Sequence, residues 1–328
     1  MSHEVLLLSR SDIEKIGITY ADAIDEIDSV FVAEVSGDVQ MAKKTSLRFP
    51  DREAGFINSM PAFLKNKDIA GIKWVSGFQE APRRGLPFII GTIILNDAHT
   101  GAPICIMDGT LLTEMRTATV STVGAKYLAR GDSETLGIVG CGAMGKSHLL
   151  SMAVPFKFKR AYCYDVFEEK AAAFIREMEQ KVSFPIVKSV SLQETLSQSD
   201  ILCTCTVPKE PFLDVRYVAK GAFAASVEGR QAWLDGSYAS FDKFCVDEWS
   251  SIIDGAHMKS LLDRGIVNQS HVHADLKDVV SRKKPGRESP EERILLVTRG
   301  LGMEDIALAS RVYAMALKKG VGTPFSFL

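Results

Sequence analysis

The sequence predicts an α/β protein: a doubly wound parallel sheet in one domain, joined to an α+β domain with a mainly antiparallel sheet. Three observations carry this. Between residues 111 and 248, strand-like segments alternate with helical ones of about ten residues, the rhythm of parallel strands joined by helical crossovers. Between residues 45 and 109, five apolar segments follow one another across short turns, as antiparallel strands do. The 328 residues, 46% hydrophobic and 24% charged, suffice for two globular cores.

Each element has a local justification. Residues 11–38 (SDIEKIGITYADAIDEIDSVFVAEVSGD) open with a Ser-x-x-Glu capping box at Ser11 and Glu14 and carry apolar residues at helical spacing. TSLRF, GFINSMPAFL, IAGIKWVSGF and FIIGTIILND read as strands, and Asp97–Gly101 as the hairpin turn into APICIMDG. From Leu111 the period becomes that of a helix, LLTEMRTATVSTVGAKYLAR. Strand LGIVG, a glycine turn, helix KSHLLSMAV and strand RAYCYD then make one βαβ unit. Helix EEKAAAFIREMEQK, strand IVKSV, helix LQETLSQS, strand DILCTCTV, helix DVRYVAK and strands AFAASV and KFCVDE continue it. The final helix, MEDIALASRVYAMALKKGVG, ends at a glycine stop. Ser281–Arg293, SRKKPGRESPEER, reads as a solvated charged loop and as the stretch most prone to disorder.

Composition narrows the function classes. A net charge of −2 gives no nucleic-acid footprint. No apolar run approaches the roughly 18 residues of a membrane span. Six scattered cysteines, with Cys203-Thr-Cys205 lacking the two-residue spacer of zinc pairs, and no recognisable secretory signal point to a reducing cytoplasm. His271-Val-His273 would put two rings on one face of a strand, but no third ligand is placed by the sequence, and no metal is expected.

The chemistry-bearing motif is Gly140-Cys141-Gly142-Ala143-Met144-Gly145, which follows a strand and precedes a helix. Gly140 permits a tight turn, Gly142 lets the backbone approach a pyrophosphate, and Gly145 allows close helix–sheet packing. The helix N-terminus offers N–H groups to phosphates. Such a motif predicts an acid at the end of the next strand, about 20 residues on. AYCYD ends at Asp165, a carboxylate for ribose hydroxyls that would repel a 2′-phosphate. Val166, Phe167, Glu168 and Glu169 follow, without an arginine, so NAD is favoured over NADP. Thr204, Thr206 and Val207, at the carboxyl end of one parallel strand, and Ser226 and Val227, at the end of the next, are further cofactor candidates.

The remaining motifs resemble the ornithine cyclodeaminase/mu-crystallin family, which includes archaeal-type alanine dehydrogenases, ketimine reductases and opine-type synthases. The matches are M-P-A at Met60–Ala62, G-I-K-W at Gly71–Trp74, G-L-P at Gly85–Pro87, and T-G-x-P…M-D-x4-T-x-x-R-T-A through Ala118. VHADLKDVV, KPGRES and GLGMEDIALASRVYAMALKKGVGT extend the resemblance along essentially the whole chain. It implies a substrate-binding and dimerisation domain of residues 1–115 and 301–328, a Rossmann domain of residues 116–300, and a homodimer. It also implies hydride transfer between NAD and the Cα of an amino acid, through an imine. Arg116 matches the family arginine, whose planar fork suits an α-carboxylate. Lys73 would assist the imine; on a strand between apolar residues it should be partly desolvated, with a lowered pKa. Lys44 aligns with another basic position near the carboxylate, with Arg48 as its rival. Met60 joins them at the substrate, and Thr117 is placed at the cofactor.

The pattern also breaks. Where the family carries G-A/S-D-x-P-G-K-x-E-L-D, this chain reads ASVEGRQAWLD; the matching Asp is gone, and Glu228 or Arg230 occupies the neighbourhood. Val297–Gly300 replaces D-S-T-G, and Met144 stands where many relatives have Gln. Glu228 is the candidate substitute for the lost acid. Arg230 or Arg299 would be an extra cation for a substrate with a second anionic group. The expected function is an NAD-dependent oxidoreductase acting on the CH–NH2 or C=N group of a small amino or imino acid. The alternatives are a cyclodeaminase-type ammonia lyase with catalytic NAD and a mu-crystallin-like binder of small ligands.

Overall fold

The computed structural model describes residues 3–49, 55–206, 208–227 and 232–326. In chain order the elements are β1 (Glu4–Leu8), α1 (Arg10–Ile16), α2 (Tyr20–Val35), β2 (Val39–Met41), β3 (Thr45–Phe49), β4 (Gly55–Leu64) and β5 (Ile69–Gly77). There follow α3 (Glu80–Arg83), β6 (Ile89–Asp97), β7 (Pro103–Asp108), α4 (Thr110–Leu128), β8 (Thr135–Val139), α5 (Ala143–Met152), β9 (Arg160–Tyr164) and α6 (Glu168–Met178). Next are β10 (Ile186–Lys188), α7 (Leu192–Gln198), β11 (Ile201–Thr204), β12 (Phe223–Ser226), β13 (Lys243–Val246), α8 (Trp249–Ile252) and α9 (Ala256–Asp263). The chain finishes with β14 (Val272–Asp275), α10 (Leu276–Val280), β15 (Ile294–Val297), α11 (Gly302–Lys319) and β16 (Thr323–Ser326). Two compact units result: Met1–Arg116 with Leu301–Leu328, and Thr117–Gly300.

The first unit is a mixed, mostly antiparallel sheet in the order β16-β1-β7-β6-β5-β4-β2, with β3 also paired to β4. Only β1 and β7 run parallel among its pairings. Alternation along β5 sends Lys73 and Val75 inward and leaves Trp74 exposed. In register, Lys73 lies between Met60 of β4 and Ile93 of β6. Helix α11, buried continuously from Gly302 to Ser310, packs on this sheet. Two glycines set how closely it can lie. A Cβ on Gly71 would come within 2.6 Å of the Ile94 carbonyl and 2.9 Å of Ile306 Cδ1. One on Gly302 would come within 2.9 Å of the Pro61 carbonyl.

The second unit is a parallel sheet in the order β10-β9-β8-β11-β12-β15-β13-β14. Its first five strands have the 3-2-1-4-5 order of a dinucleotide fold, reversing direction of winding between β8 and β11. Trp233, Phe241, Phe244, Leu202 and Leu295 belong to its core.

Several local expectations are corrected. The N-terminal stretch, helical as its spacing predicts, is divided into two helices because Gly17 adopts the left-handed conformation and ends α1. The capping boxes are Ser9–Asp12 and Thr19–Asp22, not Ser11–Glu14. DVRYVAK contains only a 3-10 turn at Val215–Tyr217, capped by Asp214. The charged stretch at Ser281–Arg293 is an ordered strap. Arg287 donates to the carbonyls of Leu128 (2.9 Å), Ser289 (3.1 Å) and Glu292 (2.6 Å). Lys243 bonds the Gly286 carbonyl at 2.6 Å and pairs with Glu288 and Glu292.

Candidate active site

In the first unit, β5, the start of α4 and the start of α11 bring four charged side chains together. Oδ1 of Asp305 accepts from Lys73 Nζ at 2.6 Å and from Arg116 Nε at 3.0 Å. Arg116 Nη1 donates to Oε2 of Glu304 at 3.3 Å. Lys73, Glu304 and Asp305 are fully buried, and Arg116 is 7% exposed. One carboxylate oxygen thus joins the two cations the sequence singles out.

The electrostatics follow from this enclosure. Burial disfavours the ammonium form of Lys73, the Arg116 charge adds repulsion, and the Asp305 carboxylate opposes both; the balance lowers its pKa to about 7. Lys44 also pushes it down, which places that side chain within electrostatic reach of Lys73. Arg48 sits differently. It is exposed on β3, opposite Phe56, with its guanidinium 5.7 Å from that ring's centroid. Met60 is buried at the cross-strand position beside Lys73.

In the second unit the glycine turn joins β8 to α5. Gly140 has φ +98, and a Cβ there would lie 2.5 Å from the Cys205 carbonyl oxygen. A Cβ on Gly145 would collide with the Gly140 carbonyl, whereas one on Gly142 would meet nothing within 4 Å. The packed side of the turn therefore needs its glycines, while its open side faces space. Gly142 and Ala143 are exposed, Met144 is half-buried and Cys141 is buried. No side chain caps α5, so its first N–H groups remain for an anion. Asp165 accepts from the Cys141 N–H at 2.9 Å and the Phe167 N–H at 3.0 Å. These residues fit a dinucleotide: an open glycine, an uncapped helix start and a fixed carboxylate.

The other candidates divide. Thr117 follows Arg116 on α4 and is half-buried, as are Thr206 and Val227 just beyond β11 and β12. Thr204 is enclosed, with its hydroxyl donating to the Ala225 carbonyl at 3.4 Å, and Ser226 is 1% exposed. Those two fill strand positions. Val207, Glu228 and Arg230 lie outside the described residues. Arg299 donates from its side chain to the Ser251 carbonyl and from its backbone to Asp247. His271 and His273 do not share a strand face, a correction. His271 belongs to the 3-10 turn before β14, its Nδ1 accepting from the Asn268 N–H, and His273 is bonded to the Pro285 carbonyl. Among the described residues no group of three His, Cys, Asp or Glu side chains is placed to hold a metal. No described helix is long and apolar enough to cross a membrane.

The family model for ornithine cyclodeaminase/mu-crystallin matches residues 3–320. The chain belongs to that family. It is 33% identical to N-((2S)-2-amino-2-carboxyethyl)-L-glutamate dehydrogenase of Staphylococcus aureus (strain NCTC 8325 / PS 47), over 98% of each chain. Its fold is similar to that of Thermococcus litoralis Delta(1)-pyrroline-2-carboxylate reductase solved with NADH and L-proline. The TM-score there is 0.93 at 33% identity, covering 97% of this chain and 99% of the other. An archaeal alanine dehydrogenase dimer with bound NAD gives a TM-score of 0.92 at 31% identity, covering 99% and 100%. Within this ornithine cyclodeaminase/mu-crystallin framework, the expected fold class, enzyme class and NAD cofactor all hold.

Sequence reasoning missed Asp305 and Glu304. Both lie in the first turn of α11, where acids ordinarily complement a helix dipole while facing water. The available signal was the continuous MEDIALAS stretch, which leaves no polar stripe at the helix start.

Proposed function

We propose that the chain is an NAD-dependent imine reductase or amino acid dehydrogenase acting on a small amino or imino acid. The observation that carries this is the buried Lys73–Asp305–Arg116 arrangement, a fixed guanidinium beside an amine that changes charge near neutral pH. Arg116, oriented by two carboxylates, holds the substrate α-carboxylate, with Lys44 adding positive charge nearby. Lys73 gives a proton to the imine nitrogen in the reductive direction and takes one in the oxidative direction. Its pKa of about 7 suits both. In the second unit, residues 140–145 and the start of α5 hold the pyrophosphate and Asp165 the ribose hydroxyls, with Thr117, Thr206 and Val227 as further contacts. NAD, when bound, supplies or accepts the hydride.

The protein works as a homodimer in the cytoplasm. The outward face of the first unit's sheet carries Trp74, 45% exposed, and Ile90, 37% exposed, together with Ile72 and Ile94, and a second copy would cover it. Five of the six cysteines are buried, as small apolar side chains in a reducing compartment are.

The test is a panel of keto, imino and amino acids with amines, followed by NADH absorbance and ammonia release. Net NADH consumption with an imine or a keto acid plus amine is expected. Ammonia release without net NADH change would replace the proposal with a lyase, and absence of turnover beside tight ligand binding would replace it with a binding protein.

A further inference from the structure

We propose that Asp305 is a positioning residue for this chemistry: one carboxylate oxygen fixes both the Lys73 ammonium and the Arg116 guanidinium, and Glu304 holds a second edge of Arg116. The inference rests on the function proposed above for Lys73 and Arg116.

The geometry supports it at each step. Lys73 and Arg116 come from a strand and a helix that run in different parts of the sequence, yet both meet Oδ1 of Asp305, at 2.6 and 3.0 Å. Two cations sharing one fully buried oxygen have a defined separation, which neither a flexible lysine nor an arginine stem would provide alone. The carboxylate is there because α11 lies close on the sheet, an approach that Gly71 and Gly302 permit. The acid also sets charge. The groups facing Lys73 are Arg116 from α4, Lys44 from the segment before β3 and Asp305 from α11; its sheet neighbours Met60 and Ile93 are uncharged. Of the charged three, Asp305 alone favours the ammonium form. Without it, burial and two like charges would leave Lys73 neutral at pH 7, unable to give a proton to an imine.

The test compares Asp305→Asn with Asp305→Glu in the full-length protein. The Lys73 titration is followed by NMR of 13Cε-labelled lysine, assigned with Lys73→Met. In Asp305→Asn the Lys73 midpoint should move about one pH unit or more to the acid side. The high-pH limb of imine reduction, which needs the ammonium, should move with it. NAD affinity by calorimetry should stay within about twofold, since only the second unit carries the nucleotide turn. Asp305→Glu keeps the charge and moves its place by one methylene, so the midpoint should return while kcat stays about tenfold or more below wild type. An Asn variant with lowered activity but an unmoved Lys73 midpoint overturns the charge-setting role, and a Glu variant with wild-type kcat overturns the positioning role. If Asp305→Asn does not fold, Asp305→Ser removes the charge in its place and is read by the same Lys73 midpoint, while Asp305→Glu still decides the positioning role. If wild type turns over no imino or amino acid, the proposed function fails, while the NMR titration still decides whether Asp305 governs Lys73.

Discussion

The backbone N–H of Cys141 donates to Oδ2 of Asp165 at 2.9 Å, tying the glycine turn to the end of the neighbouring strand. The acid is therefore oriented before any ligand arrives. Asp165→Asn removes the charge and keeps the size. NAD affinity should fall about tenfold and the preference over NADP should narrow by a similar factor, read by calorimetry with both nucleotides. An unchanged NAD/NADP ratio would show that this carboxylate has no part in selection.

Two glycines of the same turn should respond in opposite ways to alanine. Gly142 has an ordinary φ of −83 and open space about it, so Gly142→Ala should leave thermal stability nearly unchanged and weaken NAD binding. Gly145→Ala drives a methyl into the Gly140 carbonyl and should cost about 1–3 kcal/mol in urea denaturation. Equal loss of stability in both variants would remove the distinction between a packed and an open side.

Lys73 should make stability depend on pH. Its folded pKa is depressed from 10.5 to about 7, so between those values the unfolded chain binds a proton that the folded chain does not. Stability therefore rises with pH across that window, by up to about 1.4 kcal/mol per unit from this residue. The difference in unfolding free energy between wild type and Lys73→Met, measured from pH 6 to pH 10, isolates the slope. A flat difference would mean that the amine keeps its charge in the folded state.

Arg287 should matter to folding although it is remote from both glycine turn and charge cluster in sequence. Its side chain bonds the Leu128 carbonyl at the end of α4 and two carbonyls of its own strap. Arg287→Ala should destabilise the protein by about 2–4 kcal/mol, seen as a lower urea midpoint. A loss under half a kcal/mol would return this segment to the solvated loop its composition suggests.

Much of the fold is legible in the sequence, and the exceptions have physical reasons. The apolar segments between Thr45 and Asp108 are bounded by turn residues and all become strands, although the connection from Gly77 to Ile89 also holds α3, which the composition did not announce. β1, β14 and β15 are short and flanked by polar or charged residues, and pairing alone makes them strands. The first capping box was ambiguous because Ser9–Asp12 and Ser11–Glu14 offer the same spacing two residues apart; the chain uses the earlier one. For the candidate site, the family motifs pick out Lys73 and Arg116, and the glycine spacing picks out Asp165. Asp305 escapes because its position suits an acid stabilising a helix start, and the apolar MEDIALAS stretch around it signals burial without naming a partner. Its meaning comes from the sheet that Gly71 lets it approach.

Lys73 and Asp305 are 232 residues apart in the chain. At ribosomal elongation of roughly 5–20 residues per second, the lysine waits about 12–46 s for its acid. Residues 117–300 are synthesised during that interval, while the first unit still lacks its closing helix. A nascent chain therefore holds all of residues 117–300 before it holds Asp305, and the Lys73–Asp305–Arg116 cluster can close only near the end of translation.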